Sequence, residues 1–209
     1  MSAIGPQIPD TGIRALRATD AEIDEYLLAR WSPRAMSGEP LADTMLWQLF
    51  EAARWAPSSI NSQPWRFVYA LRDTPAWEPM FDLLTDRNKR WVKHAAVLVA
   101  VLSVETDAAS GRALRTHSFD AGAAWENIAL QGRSLGLVVH GMSGLDYDRA
   151  RTALNVPAGV TVEMMFAAGH PGKVADLPED LQPKETPNGR RPVRELVSEG
   201  TYVPADTPK

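Results

Sequence analysis

The run of apolar residues at positions 95–103 constrains the fold of this chain most strongly. It reads Ala-Ala-Val-Leu-Val-Ala-Val-Leu-Ser, which is long for a strand and short for a buried helix. Successive valines and leucines in such a run favour a strand that is buried on both faces. The sequence therefore predicts a central strand here, with a sheet built around it.

Two long segments have the periodicity of buried helices. In residues 40–56, apolar side chains recur four positions apart. Residues 119–136 place apolar and small side chains on one face, and Gly136 suits the left-handed stop that often follows a helix. Shorter patterns predict further strands at 65–70, 137–140 and 161–168, and further helices at 73–84 and 146–154.

The two ends of the chain have weaker patterns. Residues 1–18 show no apolar periodicity, so we predict an extended arm. Thr19 and Glu22 fit a capping box, which predicts a helix from there to about Arg30 that buries Ile23 and Leu27. From residue 176 onward the chain is rich in proline, which predicts a segment that wraps over its neighbours. We predict an arm at 1–18, one domain at 19–197 and a tail at 198–209.

Composition excludes several classes of function. The chain has 209 residues and a net charge of −4, which gives no electrostatic footprint for nucleic acid. There is no cysteine, so thiol nucleophiles and cysteine-bound metals are excluded. The four histidines have no metal-ligand spacing, and we predict no metal site. The first 20 residues lack the pattern of a signal peptide, and we expect a cytoplasmic protein.

A basic cluster follows the first predicted helix. Arg30, Ser32 and Arg34 lie within five residues, with Trp31 between them. Arginine offers planar, permanently charged donors that suit a phosphate group. A solvated basic turn is the alternative explanation of the same residues.

The segment after the second predicted helix is polar. Pro57 ends that helix, and Ser58, Ser59, Asn61 and Gln63 precede the strand that begins at Trp65. A loop between a buried helix and a buried strand commonly holds binding residues. On these residues alone, a polar turn is the simpler explanation.

Residues 56–67, Ala-Pro-Ser-Ser-Ile-Asn-Ser-Gln-Pro-Trp-Arg-Phe, resemble the A-P-S-S-x-N-x-Q-P-W-x-F segment of the nitroreductase family. The basic cluster at 30–34 is similar to the family's R-x-S-x-R element. Residues 140–146, His-Gly-Met-Ser-Gly-Leu-Asp, resemble the H-Q-M-G-G-F-D loop of one branch, from which they differ at three positions. Residues 190–196 resemble the closing R-K-P-L-x-E element.

The resemblance implies an α+β fold: a central, mostly antiparallel sheet between helices, as a three-layer α/β/α sandwich in an interlocked homodimer. It implies FMN at the subunit interface, with NADH or NADPH as co-substrate, and no catalytic side chain. The implied cofactor-binding residues are Arg30, Trp31, Ser32, Arg34, Pro57, Ser58, Ser59, Asn61, Gln63, Asn88, His140, Met142, Ser143, Gly144, Arg190 and Arg191. Of the last two, Arg190 is the first choice for the phosphate. Residues 57–61 would come from the partner chain.

The implied activity is reduction of a nitroaromatic, a quinone or a similar small acceptor, with NAD(P)H and the acceptor binding in turn. Two alternatives remain. The same fold would serve a flavin-dependent oxidase or dehydrogenase, a dehalogenase or a flavin-fragmenting enzyme. A non-catalytic, flavin-binding redox sensor is the other.

Overall fold

The protein is described by a computed structural model that covers residues 13–204. Within that range the strands are β1 (Trp65–Leu71), β2 (Val97–Val104), β3 (Val138–Met142) and β4 (Val160–Gly169). The helices are α1 (Ile13–Leu16), α2 (Glu25–Ala29), α3 (Asp43–Arg54), α4 (Trp77–Phe81), α5 (Asp86–Val92), α6 (His117–Ser134) and α7 (Tyr147–Ala153). Short 3-10 turns occur at Ser59–Asn61, Val174–Asp176, Gln182–Lys184 and Val193–Glu195.

The four strands form one sheet in the order β1-β2-β4-β3, and each neighbouring pair is antiparallel. Val99 of β2 lies opposite Tyr69 on one side and Phe166 on the other. All residues of β2 except the last are buried. The prediction of a central strand from the apolar run is therefore confirmed.

Helices cover both faces of this sheet. One set of alternate β2 residues, including Val97 and Val99, packs with α3 and α6. The other set, including Leu98 and Ala100, packs with α4, α5 and the segment around Leu177. The described chain is thus an α+β, three-layer sandwich around a mostly antiparallel sheet, and the fold class expected from the sequence is confirmed.

Residues 1–12 of the predicted arm lie outside the described residues, and the described remainder differs from the prediction. Residues 13–16 form a helical turn instead of extended chain, and Ile13 packs against Leu28 and Ala29. The predicted capping box at Thr19 is wrong, because α2 begins five residues later, where Asp24 accepts a hydrogen bond from the Tyr26 N–H. Aspartate and threonine are both common N-cap residues, so the local pattern alone did not decide between Asp24 and Thr19.

Two side chains expected inside this helix are exposed. Ile23 is 43% exposed and Leu27 is 51% exposed. Ile23 precedes the true cap, and the helix is only five residues long. The later helices α3 and α6 lie where predicted, and Gly136 has the left-handed φ of 71° that its stop signal indicated.

Residues 170–204 have no long helix or strand, as their prolines indicated. Leu177 and Leu181 anchor the segment in the core on the α4–α5 face. Farther on, the N–H of Val193 donates to Asp20 at 2.6 Å, which places this segment beside the chain leading into α2. Among the described residues, no helix is both long and apolar enough to cross a membrane.

Candidate functional site

Five cationic side chains surround one cavity of about 470 Å³, which we call the arginine cavity. They come from three separate parts of the chain: the segment around α2, the loop after it, and the proline-rich segment. Among the described residues, no aspartate or glutamate lines the cavity. The cations are Arg17, Arg30, Arg34, Lys184 and Arg190, and the other lining residues are Trp31, Ser32, His140, Thr186 and Asn188.

Two of these cations are only partly satisfied by the protein. Arg17 Nη1 donates to the carbonyls of Leu28 at 2.5 Å and Arg30 at 2.7 Å, which holds the turn after α2. Arg30 Nε lies 3.3 Å from a carboxylate oxygen of Glu126. Yet Arg17 Nε, Arg17 Nη2 and Arg30 Nη1 are buried and have no hydrogen-bond partner among the described residues.

Buried donors without partners carry a free-energy cost of about 1–3 kcal/mol each, more when charged. Burial lowers the pKa of Arg17, and the neighbouring charges of Arg190 and Arg30 lower it further. An anion with several acceptor oxygens would relieve both the missing hydrogen bonds and the like-charge repulsion. The cavity therefore fits a phosphate group.

Arg34 is held by Glu185, a buried carboxylate from the proline-rich segment. Glu185 Oε1 accepts hydrogen bonds from the N–H groups of Arg34 at 2.5 Å and Ala35 at 2.8 Å. Its other oxygen lies 3.7 Å from Arg34 Nη1. Since Glu185 binds both the backbone and the guanidinium, it sets the position of Arg34 at the cavity wall.

A second cavity of about 270 Å³, the loop cavity, adjoins the first. The two share Arg34, His140 and Lys184. The loop cavity is lined by residues 141–144, which we call the glycine loop, and by residues of α5. The glycine loop consists of the last two residues of β3 and the two that follow. A ligand can therefore touch the cations at one end and the backbone of the glycine loop at the other.

Asn88 fixes the end of that loop. Its Nδ2 donates to the carbonyl of Gly144 at 3.0 Å. A Cβ on Gly144 would lie 2.7 Å from Asn88 Nδ2 and 2.9 Å from Thr85 Oγ1. Position 144 therefore has no room for a side chain, because the loop passes directly against α5.

His140 stands where the two cavities meet. Its ring packs against Trp91 with the ring centres 4.5 Å apart, and its Nδ1–H donates to the carbonyl of Pro33 at 2.8 Å. Burial lowers the pKa of His140 to about 4, and the positive charge of Arg34 contributes. The imidazole is thus neutral at pH 7, and Nε2 keeps its lone pair as an acceptor.

Most of the residues expected at a cofactor site lie around these two cavities. Arg190 lines the arginine cavity and Arg191 does not. Arg191 lines a neighbouring cavity instead. The expected residues brought together are Arg30, Trp31, Ser32, Arg34, Asn88, His140, Met142, Ser143, Gly144 and Arg190.

The polar loop after α3 lies apart from them within one chain. Pro57, Ser58, Ser59, Asn61 and Gln63 line neither cavity. The Ser59 N–H donates to Asp120 near the start of α6 at 3.1 Å. Asn61 and Gln63 have left-handed φ values of 58° and 47°.

Sequence reasoning missed several residues of the site. Arg17 lies in a segment without periodicity, and Lys184, Glu185, Thr186 and Asn188 lie in a proline-rich segment. No local pattern indicated them, because each reaches the site only through the packing of distant segments.

Comparison with known proteins agrees with this architecture. The model of the family described as "Nitroreductase family" matches residues 27–76 and 70–170. This chain belongs to the nitroreductase family. The resemblance carried by residues 56–67 is thereby confirmed.

Two similar proteins with solved structures share the fold over most of their length. One, described as an oxidoreductase containing FMN, is 40% identical to this chain, with a TM-score of 0.85 over 90% of this chain and 96% of that one. Another, from Desulfovibrio desulfuricans, is provisionally named a nitroreductase and is in complex with FMN. It is 26% identical, with a TM-score of 0.67 over 88% of this chain and 100% of its own.

A relative known by sequence comes from Polynucleobacter asymbioticus. It is 24% identical over 183 residues, which cover 78% of this chain and 92% of the relative. It is provisionally named an NADH dehydrogenase/NAD(P)H nitroreductase.

Proposed function

We propose that this nitroreductase-family protein is an FMN-dependent oxidoreductase that uses NADH or NADPH to reduce a small acceptor such as a nitroaromatic or a quinone. The observation that carries the proposal is the arginine cavity, which opens onto the glycine loop. Three of its guanidinium nitrogens have no hydrogen-bond partner in the part of the chain that the structure describes. A flavin mononucleotide has a phosphate for the first cavity and a ring for the second. FMN in two of the similar solved structures supports the same assignment.

The residues divide the work of binding. Arg17, Arg30 and Arg190 hold the phosphate, and Ser32 adds a hydroxyl beside it. Neutral His140 accepts a hydrogen bond from the chain that joins phosphate to ring. When bound, FMN supplies the redox chemistry, since it takes electrons from a nicotinamide and gives them to an acceptor.

The backbone of the glycine loop contacts the flavin ring in the proposed complex. Residues 141–144 line the loop cavity, and Asn88 holds Gly144 in place. Backbone dipoles fixed in this way stabilise charge that develops on a bound ring without reorganising. Arg34, fixed by Glu185, adds a positive charge at the same junction. We assign no side chain as a catalytic acid or base.

We also propose that the protein works as a homodimer in which residues 57–63 complete the partner's site. Large apolar side chains beside that loop are exposed in the single chain: Trp55 at 73%, Ile60 at 67% and Phe119 at 80%. Several large exposed apolar side chains near one loop are typical of an interaction surface. The single domain at 19–197 and the cytoplasmic location remain predictions from the sequence.

The visible spectrum of the purified protein tests the cofactor. We expect a yellow protein that releases FMN on denaturation. The Arg30→Ala variant should bind FMN about 1.5–3 kcal/mol more weakly, the scale of a hydrogen bond to a charged group. Arg194→Ala, which removes an exposed arginine outside the arginine cavity, is the matched control. A colourless protein that cannot be reconstituted with FMN would refute the proposal.

Anaerobic addition of NADH or NADPH tests the reaction. Bleaching of the flavin, and recovery of its colour with a quinone or nitroaromatic, is the expected result. Flavin that neither nicotinamide reduces but another small substrate does would favour an oxidase, dehydrogenase, dehalogenase or flavin-fragmenting enzyme. Bound flavin that shows no turnover with any donor and acceptor tested would favour a redox sensor.

A further inference from the structure

A polar network lies outside the two cavities, between the sheet and the start of α6. We call it the His117 network, and its members are Ser103 of β2, His117 and Ser118 of α6, and Glu163 of β4. Ser103 is fully buried, and its hydroxyl lies 2.7 Å from Nδ1 of His117. The same Nδ1 lies 3.6 Å from Glu163 Oε1. None of the four residues lines the arginine cavity or the loop cavity, so flavin binding does not account for the network.

A β-bulge turns Glu163 towards α6. β2 pairs with Met164 and then with Val162, so Glu163 is an extra residue in β4. Met164 packs on the α6 side of the sheet, and Val162 packs on the other side. Because side chains alternate along a regular strand, Glu163 would otherwise point away from the α6 side. The bulge places its carboxylate where the hydroxyls of Ser103 and Ser118 donate to it.

The hydrogen bonds determine where the protons lie. The Ser103 hydroxyl donates its proton to Glu163, so its oxygen accepts at the contact with His117. Nδ1 of His117 therefore carries a proton, and Nε2 makes no hydrogen bond to any described residue. When the imidazole takes up a second proton, Nε2 carries it and the carboxylate of Glu163 stabilises the charge. His117 can thus hold and release a proton at Nε2.

The network lies directly beside the polar loop that follows α3. Trp65, where that loop enters β1, lies opposite Ser103 in the sheet. On the helix side, the Ser59 N–H of the loop donates to Asp120, in the first turn of α6. In the proposed dimer this loop completes the flavin site of the partner. His117 therefore lies beside the partner's flavin.

The two cavities lack a group that readily releases a proton at neutral pH. Among the described residues that line them, the titratable groups are arginines, Lys184 and His140. Arginine and lysine release protons only well above pH 7, and His140, with its pKa lowered to about 4, is already neutral. A quinone that receives a hydride becomes a hydroquinone anion, which needs one more proton. A proton from the protein must come from outside the two cavities.

We propose that His117 donates this proton to the acceptor at the partner's site, and that Ser103 and Glu163 position His117. This inference rests on the proposed function and its homodimer. NADH or NADPH is oxidised and supplies the hydride, by way of the flavin, that reduces the quinone. The Nε2–H bond of His117 breaks, and its proton forms an O–H bond with the anionic oxygen of the product. His117 is left neutral and regains a proton from solvent.

Stopped-flow absorbance separates the two halves of the reaction. In His117→Ala, a nicotinamide should reduce the flavin at a rate within twofold of the wild type. Reoxidation by benzoquinone should slow at least tenfold, since general acids contribute about 10²–10⁴-fold. Added imidazole should restore reoxidation at least threefold, which it would not do for a purely structural residue. His94→Ala removes a half-buried histidine at the opposite end of β2 and should change neither rate.

Glu163→Gln tests the positioning role and decides the matter if His117→Ala does not fold. Glutamine keeps the size of the side chain and removes its charge. Reoxidation should slow at least threefold, and the affinity for FMN and the sedimentation coefficient should stay the same. Glu105→Gln changes a neighbouring carboxylate that accepts from the Thr161 hydroxyl, outside the network, and should alter neither rate.

A mixed dimer tests whether His117 serves the partner's flavin. His117→Ala chains and Arg30→Ala chains carry different affinity tags, and dimers with both tags are purified. At an FMN concentration that fills only sites with Arg30, the filled site lies on the His117→Ala chain. Its reoxidation should be at least fivefold faster than in the His117→Ala homodimer, because the other chain supplies His117. Equal rates would refute donation across the interface.

Phenol binding gives a readout without turnover. Phenol has the oxygen of the hydroquinone product and is not reduced by flavin. Titrated into the oxidised protein and followed by flavin absorbance, phenol should bind His117→Ala at least threefold more weakly than the wild type. Equal affinities would show that His117 does not contact the acceptor oxygen.

The outcomes separate this inference from the function on which it rests. If His117→Ala is reoxidised at the wild-type rate, the inference is wrong and the proposed function stands. If both half-reactions slow equally, His117 supports the flavin site as a whole and the inference is wrong. If the wild type binds no FMN, or neither nicotinamide reduces it, the proposed function fails first.

Discussion

Arg17 and Glu185 lie outside the sequence elements that carry the family resemblance, yet each shapes the site through its contacts with them. Arg17 clamps the turn that presents Arg30, and Glu185 fixes the backbone that presents Arg34. Both side chains are almost fully buried. A buried charge is tolerated only when it is paired or hydrogen-bonded, so these contacts decide both stability and the shape of the site.

Glu185→Ala should lower the free energy of unfolding by about 1–3 kcal/mol, because the N–H groups of Arg34 and Ala35 lose their acceptor. Glu185→Gln keeps an acceptor oxygen and should lose less. Urea unfolding measures both changes. Glu195→Ala removes an exposed carboxylate from the same segment and should stay within about 0.5 kcal/mol of the wild type. An alanine variant at 185 as stable as that control would contradict the role of Glu185.

His140 gives the protein a stability that depends on pH. Its pKa is lowered to about 4 in the folded protein, against an ordinary value of 6.5. Between these values the unfolded chain takes up a proton that the folded protein does not, so the free energy of unfolding falls as the pH falls. At pH 4.5 this single group should cost about 2–3 kcal/mol relative to pH 7.

The measurement is urea unfolding at pH 7 and pH 4.5 with matched flavin content. His140→Gln keeps a side-chain N–H for Pro33 but cannot be protonated. The variant should therefore lack the His140 part of the loss at low pH. Parallel losses in wild type and variant would show that His140 is not the responsible group.

At the scale of elements, close packing of α6 against the sheet brings the site together. The helix lies on β2 and β3 and also packs against α3. Gly132 makes the closest approach, because a Cβ there would lie 2.3 Å from Val139 Cγ2 on β3. β3 in turn carries His140 and leads into the glycine loop.

Gly132→Ala should destabilise the protein by about 1–3 kcal/mol, since the clash with β3 outweighs the gain in helix propensity of about 1 kcal/mol. Thermal unfolding measures the change. Gly122→Ala lies on the same helix, where no described atom of the single chain lies within 4 Å of the added Cβ, and should destabilise the protein less than Gly132→Ala. Equal stability changes at the two positions would mean that α6 and β3 move apart at little cost in free energy.

At the scale of the whole molecule, the two halves of the expected cofactor site lie on different surfaces of the chain. The cations and the glycine loop share two adjoining cavities. The loop at 57–63 lies elsewhere, where its Ser59 N–H donates to Asp120 near the start of α6. A second chain would bring the two halves together. The exposed aromatic Phe119 lies near the start of α6, beside that loop.

Phe119→Glu should therefore convert a dimer into monomers and weaken flavin retention in the same protein, because a charge at an apolar interface leaves an unpaired buried ion. Sedimentation velocity and the flavin absorbance of the purified variant measure the two effects. Val174→Glu places the same charge at another exposed apolar position and should change neither. A Phe119→Glu variant that remains dimeric would show that this surface is not part of the dimer interface.

The sequence by itself determined the elements and the family. Local patterns were enough to predict the strand at 95–103, the two periodic helices and the loop within 56–67. Periodicity and turn chemistry act over a few residues, so they can be recognised in a short stretch of sequence. The resemblance to the nitroreductase family also assigned Arg30, Arg34, Gly144 and Arg190 to one predicted site. The true helix cap at Asp24 lay beyond the local patterns, since two adjacent segments offered equally good caps.

Only the tertiary structure decided which charges meet. Arg17, Lys184 and Glu185 lie in segments without periodicity, and they reach Arg30 and Arg34 because these segments pack against α2 and the loop after it. The depressed pKa of His140 likewise depends on burial and on the neighbouring Arg34. Burial, electrostatic repulsion and unpartnered donors are properties of contacts between distant residues, and no local pattern contains them.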